Sequence, residues 1–172
     1  GEGKRVRDCG GSIPNNWLDI LPYGHYDAYA TAYYYDALGR MAELERMILE
    51  HPDWGVEEDC LAYAPDFLTR HREAVKQKAN ELFFNGETGR FASGIDVHGE
   101  AHDVGNILSN LEILHSGLAD EKHFRSVMDW ISGRRIVEGD AAQGSDIYRY
   151  TFAPLINTAD NRDYWFFGYN AD

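Results

Sequence analysis

Apolar residues recur every three or four positions in four separate stretches of the chain, and that spacing predicts helices lying on a core. From Asp27 to Glu50 the apolar positions are Tyr34, Ala37, Met41, Leu44 and Ile48, and His51-Pro52 ends the run because proline cannot continue the backbone ladder. A second helix carries Leu68, Val75, Ala79 and Leu82 on one face, between Pro65 in its first turn and the turn Asn85-Gly86-Glu87-Thr88-Gly89. These two read as long antiparallel partners. Arg90 to Ile95 reads as a short strand or an extended crossing.

Asp103 is placed as the N-cap of a third helix with Val104, Ile107, Leu111, Leu114 and Leu118 on one face. A fourth, from Glu121 to Ser132, shows Phe124, Val127 and Ile131 on one side, with Gly133 as its stop. The flanks have no such period. Residues 1–16 are rich in Gly, Pro, Asn and charge and read as loop or leader, and Arg134 to Asp172 reads as loops with room for one short helix. The expected fold class is therefore all-α, built of antiparallel helical hairpins, with at most a short β element near residues 90–97. The two helix pairs are separated by roughly 20 residues of loop, and loops of that length tend to carry function.

Length supports one helical domain over residues 1–172. Eleven Tyr, eight Phe and four Trp make the chain 13% aromatic, a surplus suited to cores and to the walls of a ligand groove. A formal charge of −13 argues against a nucleic-acid partner or an anionic membrane surface, both of which call for clustered Lys and Arg. No apolar run approaches a membrane span. Cys9 and Cys60 have neither the number nor the spacing of a disulfide framework or a zinc knuckle. The start Gly1-Glu2-Gly3-Lys4-Arg5 reads as a processed or deliberately chosen start, which leaves open a longer parent chain.

Two stretches carry a resemblance. The first is Asn16-Trp17-Leu18-Asp19-Ile20-Leu21-Pro22-Tyr23-Gly24-His25-Tyr26-Asp27-Ala28-Tyr29, running into a helix that ends in Met41-Ala42-Glu43-Leu44-Glu45. The second is Asp96-Val97-His98-Gly99-Glu100-Ala101-His102-Asp103, then Leu111-Glu112, Gly117-Leu118-Ala119, and Met128-Asp129-Trp130 through Glu138-Gly139-Asp140. In this order and spacing they resemble bacterial six-hairpin glycosidases over most of residues 12–158. The resemblance implies an (α/α)6 toroid and glycoside hydrolysis without a cofactor. Such a toroid needs twelve helices and the pattern supplies about four long ones, so the chain is expected to be a fragment of a larger catalytic domain. Inner helix faces left open would favour pairing with another copy, since exposed apolar surface tends to become an interface.

Glycosidic cleavage usually needs two carboxyl groups, one protonated at the leaving oxygen and one ionised to activate water or attack carbon. With the resemblance in view, Asp19, Asp27, Glu138 and Asp146 are the candidates for those roles. Trp17, Tyr23, His102, Asp140 and Tyr148 are the candidates for contact with a carbohydrate substrate. Each acid also has a structural explanation: Asp19 or Asp27 as a helix cap or first-turn acid, and the Glu138–Asp146 cluster as a turn paired by Arg134, Arg135 or Arg149.

The tract Asp96-x-His98-x-Glu100-x-His102-Asp103 offers ligand residue types, but Gly99 breaks the helical register that would bring His98 and His102 together, and no metal is expected. Of Tyr29, Tyr33, Tyr34 and Tyr35, some are expected in the core and others on an inner helix face. No Ser-His-Asp elbow, Walker loop or dinucleotide turn occurs. The rival to an enzyme is a non-catalytic helical interaction or dimerisation domain, or a carbohydrate-binding remnant without turnover.

Overall fold

The computed structural model describes residues 25–57, 63–96, 98–142 and 144 of the chain. Loop 1–16, Cys9, Cys60 and the candidates Trp17, Asp19, Tyr23, Asp146 and Tyr148 lie outside the described residues. In chain order the elements are β1 (Tyr26–Asp27), α1 (Ala28–Glu50), a single 3-10 turn (Pro52–Trp54), α2 (Pro65–Phe83), β2 (Phe84–Asn85), β3 (Arg90–Phe91), β4 (Gly94–Ile95), β5 (Ala101–His102), α3 (Ile107–His115) and α4 (Glu121–Ile131).

The helix ends follow from local chemistry. Asp27 is extended and its carboxylate accepts the Ala30 N–H at 3.0 Å, which satisfies one of the donors that a helix start leaves open. Pro65 opens α2 at a position where its missing N–H costs nothing, and Thr69 Oγ1 donates back to the Pro65 carbonyl. Gly133, at φ 76°, follows the last residues of α4 in the left-handed conformation that ends many helices. The cap of α3 is Asn106, whose side chain accepts the Ser109 N–H at 3.0 Å. This corrects the expectation for Asp103: its carboxylate is taken up elsewhere, and the backbone there is not yet helical.

α1 packs against α2 and α3. Its buried face is Ala28, Ala32, Tyr35, Leu38, Ala42 and Glu45, one residue out of step with the expected Tyr34, Ala37, Met41, Leu44 and Ile48. One residue is about 100° of rotation on an α-helix, so the expected stripe lies largely on the outside, with Tyr34 48% and Leu44 49% exposed. The small side chains at 28, 32 and 42 let the neighbouring helices approach closely, and the Arg72 guanidinium lies 4.0 Å from the Tyr35 ring centroid. Tyr29 and Tyr35 are buried whereas Tyr33 and Tyr34 are half exposed. Leu111 and Phe124, both expected in the core, are also partly exposed, and Trp130 fills the interior position on α4 instead.

Strand pairing reaches beyond residues 90–97. β1, β4 and β5 form an antiparallel three-stranded sheet in that spatial order, and β2 pairs with β3. Each strand has two residues, too few to leave a period-two pattern in the sequence. One core joins these parts: Ala28, Ala32 and Tyr35 of α1, Phe83 of α2, Phe91, Ile95, Ile107, Ile113, Leu118, Val127, Trp130 and Ile131. The described chain is thus mostly helical with a small antiparallel sheet component.

Asn80 ties α2 to the start of α4. Its Nδ2 donates to the Leu118 carbonyl at 2.8 Å, and its Oδ1 accepts from the Asp120 N–H and from His123 Nδ1 at 2.9 Å. The His123 ring is stacked on Phe84 with centroids 3.7 Å apart. Burial pushes the His123 pKa down, with nearby Asp120 opposing and Lys122 assisting. A depressed histidine contributes stability that is present above its unfolded value of about 6.5 and is lost as pH falls through the folded value. His123→Phe keeps the stacked ring and removes the titration. The difference in unfolding free energy between wild type and this variant is therefore expected to be flat above pH 6.5 and to shrink below it, read from urea titrations. A difference that is level from pH 5 to 8 would contradict the assignment.

Candidate functional site

Register across the three-stranded sheet is Asp27 opposite Gly94 and Gly94 opposite His102. Directly opposed residues of antiparallel strands project to the same face, so one sheet row carries a carboxylate, a bare glycine and an imidazole. At the usual strand spacing the two outer residues are roughly 9–10 Å apart. Gly94 itself puts no side chain between them. Both are buried, Asp27 at 9% and His102 at 6% exposure, in surroundings where a charge or a hydrogen bond acts more strongly than in water.

His102 is oriented by Asp96. The two side chains meet at 3.1 Å through His102 Nε2, and the other Asp96 oxygen accepts the backbone N–H groups of His98 at 2.9 Å and Glu100 at 2.8 Å. A turn closed by the Asp96 N–H to the Glu100 carbonyl and the Gly99 N–H to the Asp96 carbonyl holds these donors in place. Burial raises the Asp96 pKa, but the backbone bonds from Glu100 and His98 and the contact with His102 outweigh it, so the carboxyl lies below its ordinary value and is ionised at neutral pH. This is the arrangement in which a carboxylate fixes an imidazole for hydrogen bonding or proton transfer. The tract from Asp96 to His102 therefore forms a hairpin with an internal acid–imidazole pair. Among the described residues no group of three His, Cys, Asp or Glu side chains is arranged to hold a metal.

A second network begins one residue later. Asp103 accepts Arg90 Nε at 2.6 Å, Asn85 Nδ2 at 3.0 Å and the Thr88 hydroxyl, binding the β2–β3 hairpin to the segment after β5. The other end of the same guanidinium, Nη1, donates to Asp140 at 2.6 Å, and Asp140 also accepts Trp130 Nε1 at 2.8 Å. Arg90, at 3% exposure, is buried between the two acids with its guanidinium 4.6 Å from the Trp130 ring centroid.

Of the candidates among the described residues, Asp27 and His102 share a sheet row. Asp140 is occupied by Arg90 and Trp130, and its carboxylate is buried. The arginine that pairs it is Arg90, not Arg134 or Arg135; Arg134 pairs Asp129 at 2.6 Å instead. Glu138 sits exposed in the turn before Asp140. Arg90, Asp96 in its orienting role, and Trp130 were not reached by sequence reasoning. Asp96 and Trp130 stand in the stretches that carry the resemblance and Arg90 heads the expected extended segment, but none was marked there as a site residue. One further acid was missed: Glu45 of α1 is 2% exposed, and its Oε2 has no hydrogen-bond partner among the described residues. At 1.5 Å per residue it lies about 27 Å along the helix from Asp27, too far to act with it on one bond.

No helix among the described residues is long and apolar enough to cross a membrane. Comparison of the chain with known protein families, with curated proteins and with solved structures finds no match.

Proposed function

We propose that the chain is part of a six-hairpin glycoside hydrolase, an incomplete (α/α)6 toroid that acts on carbohydrate, with Asp27 as a carboxyl of the reaction and His102 as a contact to a sugar. The observation that carries this reading is the shared sheet row of Asp27 and His102 across Gly94, since both were singled out by the motifs that resemble that family. The support lies in chemistry: a buried carboxyl beside a fixed imidazole can exchange a proton with, or hydrogen-bond, a hydroxyl or a glycosidic oxygen.

Asp27 also caps α1, and this makes the test clean. Asparagine caps a helix about as well as aspartate, so Asp27→Asn should leave the unfolding free energy from urea titration within about 0.5 kcal/mol of wild type. Hydrolysis of a panel of aryl glycosides by the variant should fall at least 100-fold, since general acid or base catalysis contributes about 10²–10⁴-fold. Turnover that survives the substitution removes Asp27 from the reaction. Binding on a glycan array without turnover by the wild-type chain would favour a carbohydrate-binding remnant.

A second reading, a helical domain that binds another protein or its own copy, is favoured by the outer face of α1. Tyr34, Leu44 and Met47 are each at least 40% exposed on α1, as is Phe67 on α2, whose ring stacks on the His71 that also meets Tyr34. Light scattering across a dilution series separates the dimer version: a monomer at every concentration counts against it.

A further inference from the structure

A pocket of about 540 Å³ lies between the β2–β3 turn and α4, walled by Phe84, Gly86, Lys122, Arg125, Ser126 and Arg135 together with Glu121 and Asp129. We infer that this pocket binds a compact oxyanion, a carboxylate or a tetrahedral phosphate or sulfate, with Arg135 as its principal donor.

The charge arrangement is the first ground. In a chain of formal charge −13, three cations line this wall against two acids. Both acids already have partners: Glu121 pairs with Arg125, and Asp129 pairs with Arg134 at 2.6 Å. Among the described residues Lys122 and Arg135 have no carboxylate within 4.0 Å, so the positive charge left over sits at the pocket. The start of the eleven-residue α4 forms part of the same wall and adds the positive end of its dipole.

The second ground is how Arg135 is held. Its backbone N–H donates to the Asp129 carbonyl at 2.9 Å, fixing the chain where α4 ends. Its side chain lies against Gly89, where any Cβ would overlap the guanidinium and Ser126 Oγ, and Ser126 Oγ itself donates to the Gly89 carbonyl at 2.9 Å. Gly89 has φ +74°, so both its conformation and its missing side chain are needed there. The Arg135 Nε is buried and has no hydrogen-bond partner among the described residues. A guanidinium that lines the pocket, is packed against Gly89 and has no carboxylate partner among the described residues suits a planar or tetrahedral oxyanion, because little ordering remains to be done on binding.

The inference stands apart from the glycosidase reading, since it involves neither Asp27 nor His102. Its test is titration of the full chain with inorganic phosphate, sulfate and glucuronate against chloride at matched ionic strength, followed by calorimetry and by the Arg135 Nε–H resonance. Binding of phosphate or sulfate but not glucuronate identifies a free tetrahedral anion as the ligand, and the reverse identifies an acidic sugar. Either supports the site. Arg135→Gln should weaken binding at least tenfold, Arg135→Lys and Lys122→Gln by a few-fold, and Arg70→Gln, an exposed cation on α2, not at all. Circular dichroism confirms that each variant is folded. Failure of all three anions to bind above chloride, or equal binding by folded Arg135→Gln, overturns the inference.

Discussion

Replacing Arg90 by methionine is expected to lower the unfolding free energy by roughly 3–5 kcal/mol, the usual cost of removing one partner from a buried ion cluster. The methionine fills much of the volume but leaves Asp103 and Asp140 without their cation where both are largely shielded from water, at 10% and 2% side-chain exposure. Three distant parts of the chain meet at this guanidinium: the β2–β3 hairpin, the segment after β5 and the turn after α4. Loss of the cation should therefore release residues 137–140 from Trp130 as well as destabilise the whole. Combining Arg90→Met with Asp103→Asn and Asp140→Asn should recover a large part of the loss, because the amide oxygens still accept from Thr88 and Trp130 and no charge remains buried. Urea midpoints of the single and triple variants measure this. A single variant within about 1 kcal/mol of wild type would mean that the acids find other partners.

The contrast between what the sequence revealed and what it hid follows from the range of the forces involved. Helix spans were legible because their ends are written in local residues: Asp27 before α1, Pro52 after it, Pro65 opening α2, Gly133 closing α4. The buried face of α1 was not, because Tyr34 and Tyr35, Ala37 and Leu38, and Met41 and Ala42 are adjacent apolar pairs that allow two stripes 100° apart. What decides between them is the close fit of small residues to α2 and α3, a tertiary matter. The α3 cap went to Asp103 because aspartate and asparagine cap equally well, and only the pull of Arg90, thirteen residues earlier, takes Asp103 away.

The candidate site shows the same division. Asp27 could be picked out by its position before a helix, and the structure gives it the capping role that position suggests. Its neighbourhood with His102 needs residues 27, 94 and 102 to meet in a sheet of two-residue strands, and nothing periodic announces that. Buried polar side chains are the other blind spot. Apolar spacing assigns the core to hydrophobes, yet Asn80, Arg90, Asn106 and Asn110 all lie inside it, each held by hydrogen bonds to groups far along the chain or to the next helix turn.

Asn110 is the clearest of these, and its replacement should be the second most damaging. It is fully buried on α3, and its amide acts as a strand partner for Phe91: Oδ1 accepts the Phe91 N–H at 2.9 Å while Nδ2 donates to the Phe91 carbonyl at 3.1 Å and to the Asn106 carbonyl at 2.9 Å. Asn110→Ala strands the Phe91 N–H and carbonyl in the core, and at about 1–3 kcal/mol for each unsatisfied group the loss should be about 3 kcal/mol. Asn110→Asp keeps the acceptor but turns an oxygen toward two carbonyl oxygens, in a fully buried position. Its carboxyl should be pushed above the ordinary range by burial and by those carbonyls. Near pH 7 the variant should therefore be at least as unstable as Asn110→Ala. As pH falls through the raised pKa the carboxyl gains an O–H that can donate to Phe91, so the gap from wild type should narrow toward pH 5. Urea titrations of wild type, Asn110→Ala and Asn110→Asp at both pH values give the three differences. A gap for Asn110→Asp that does not change with pH would show that its second oxygen has turned away from Phe91.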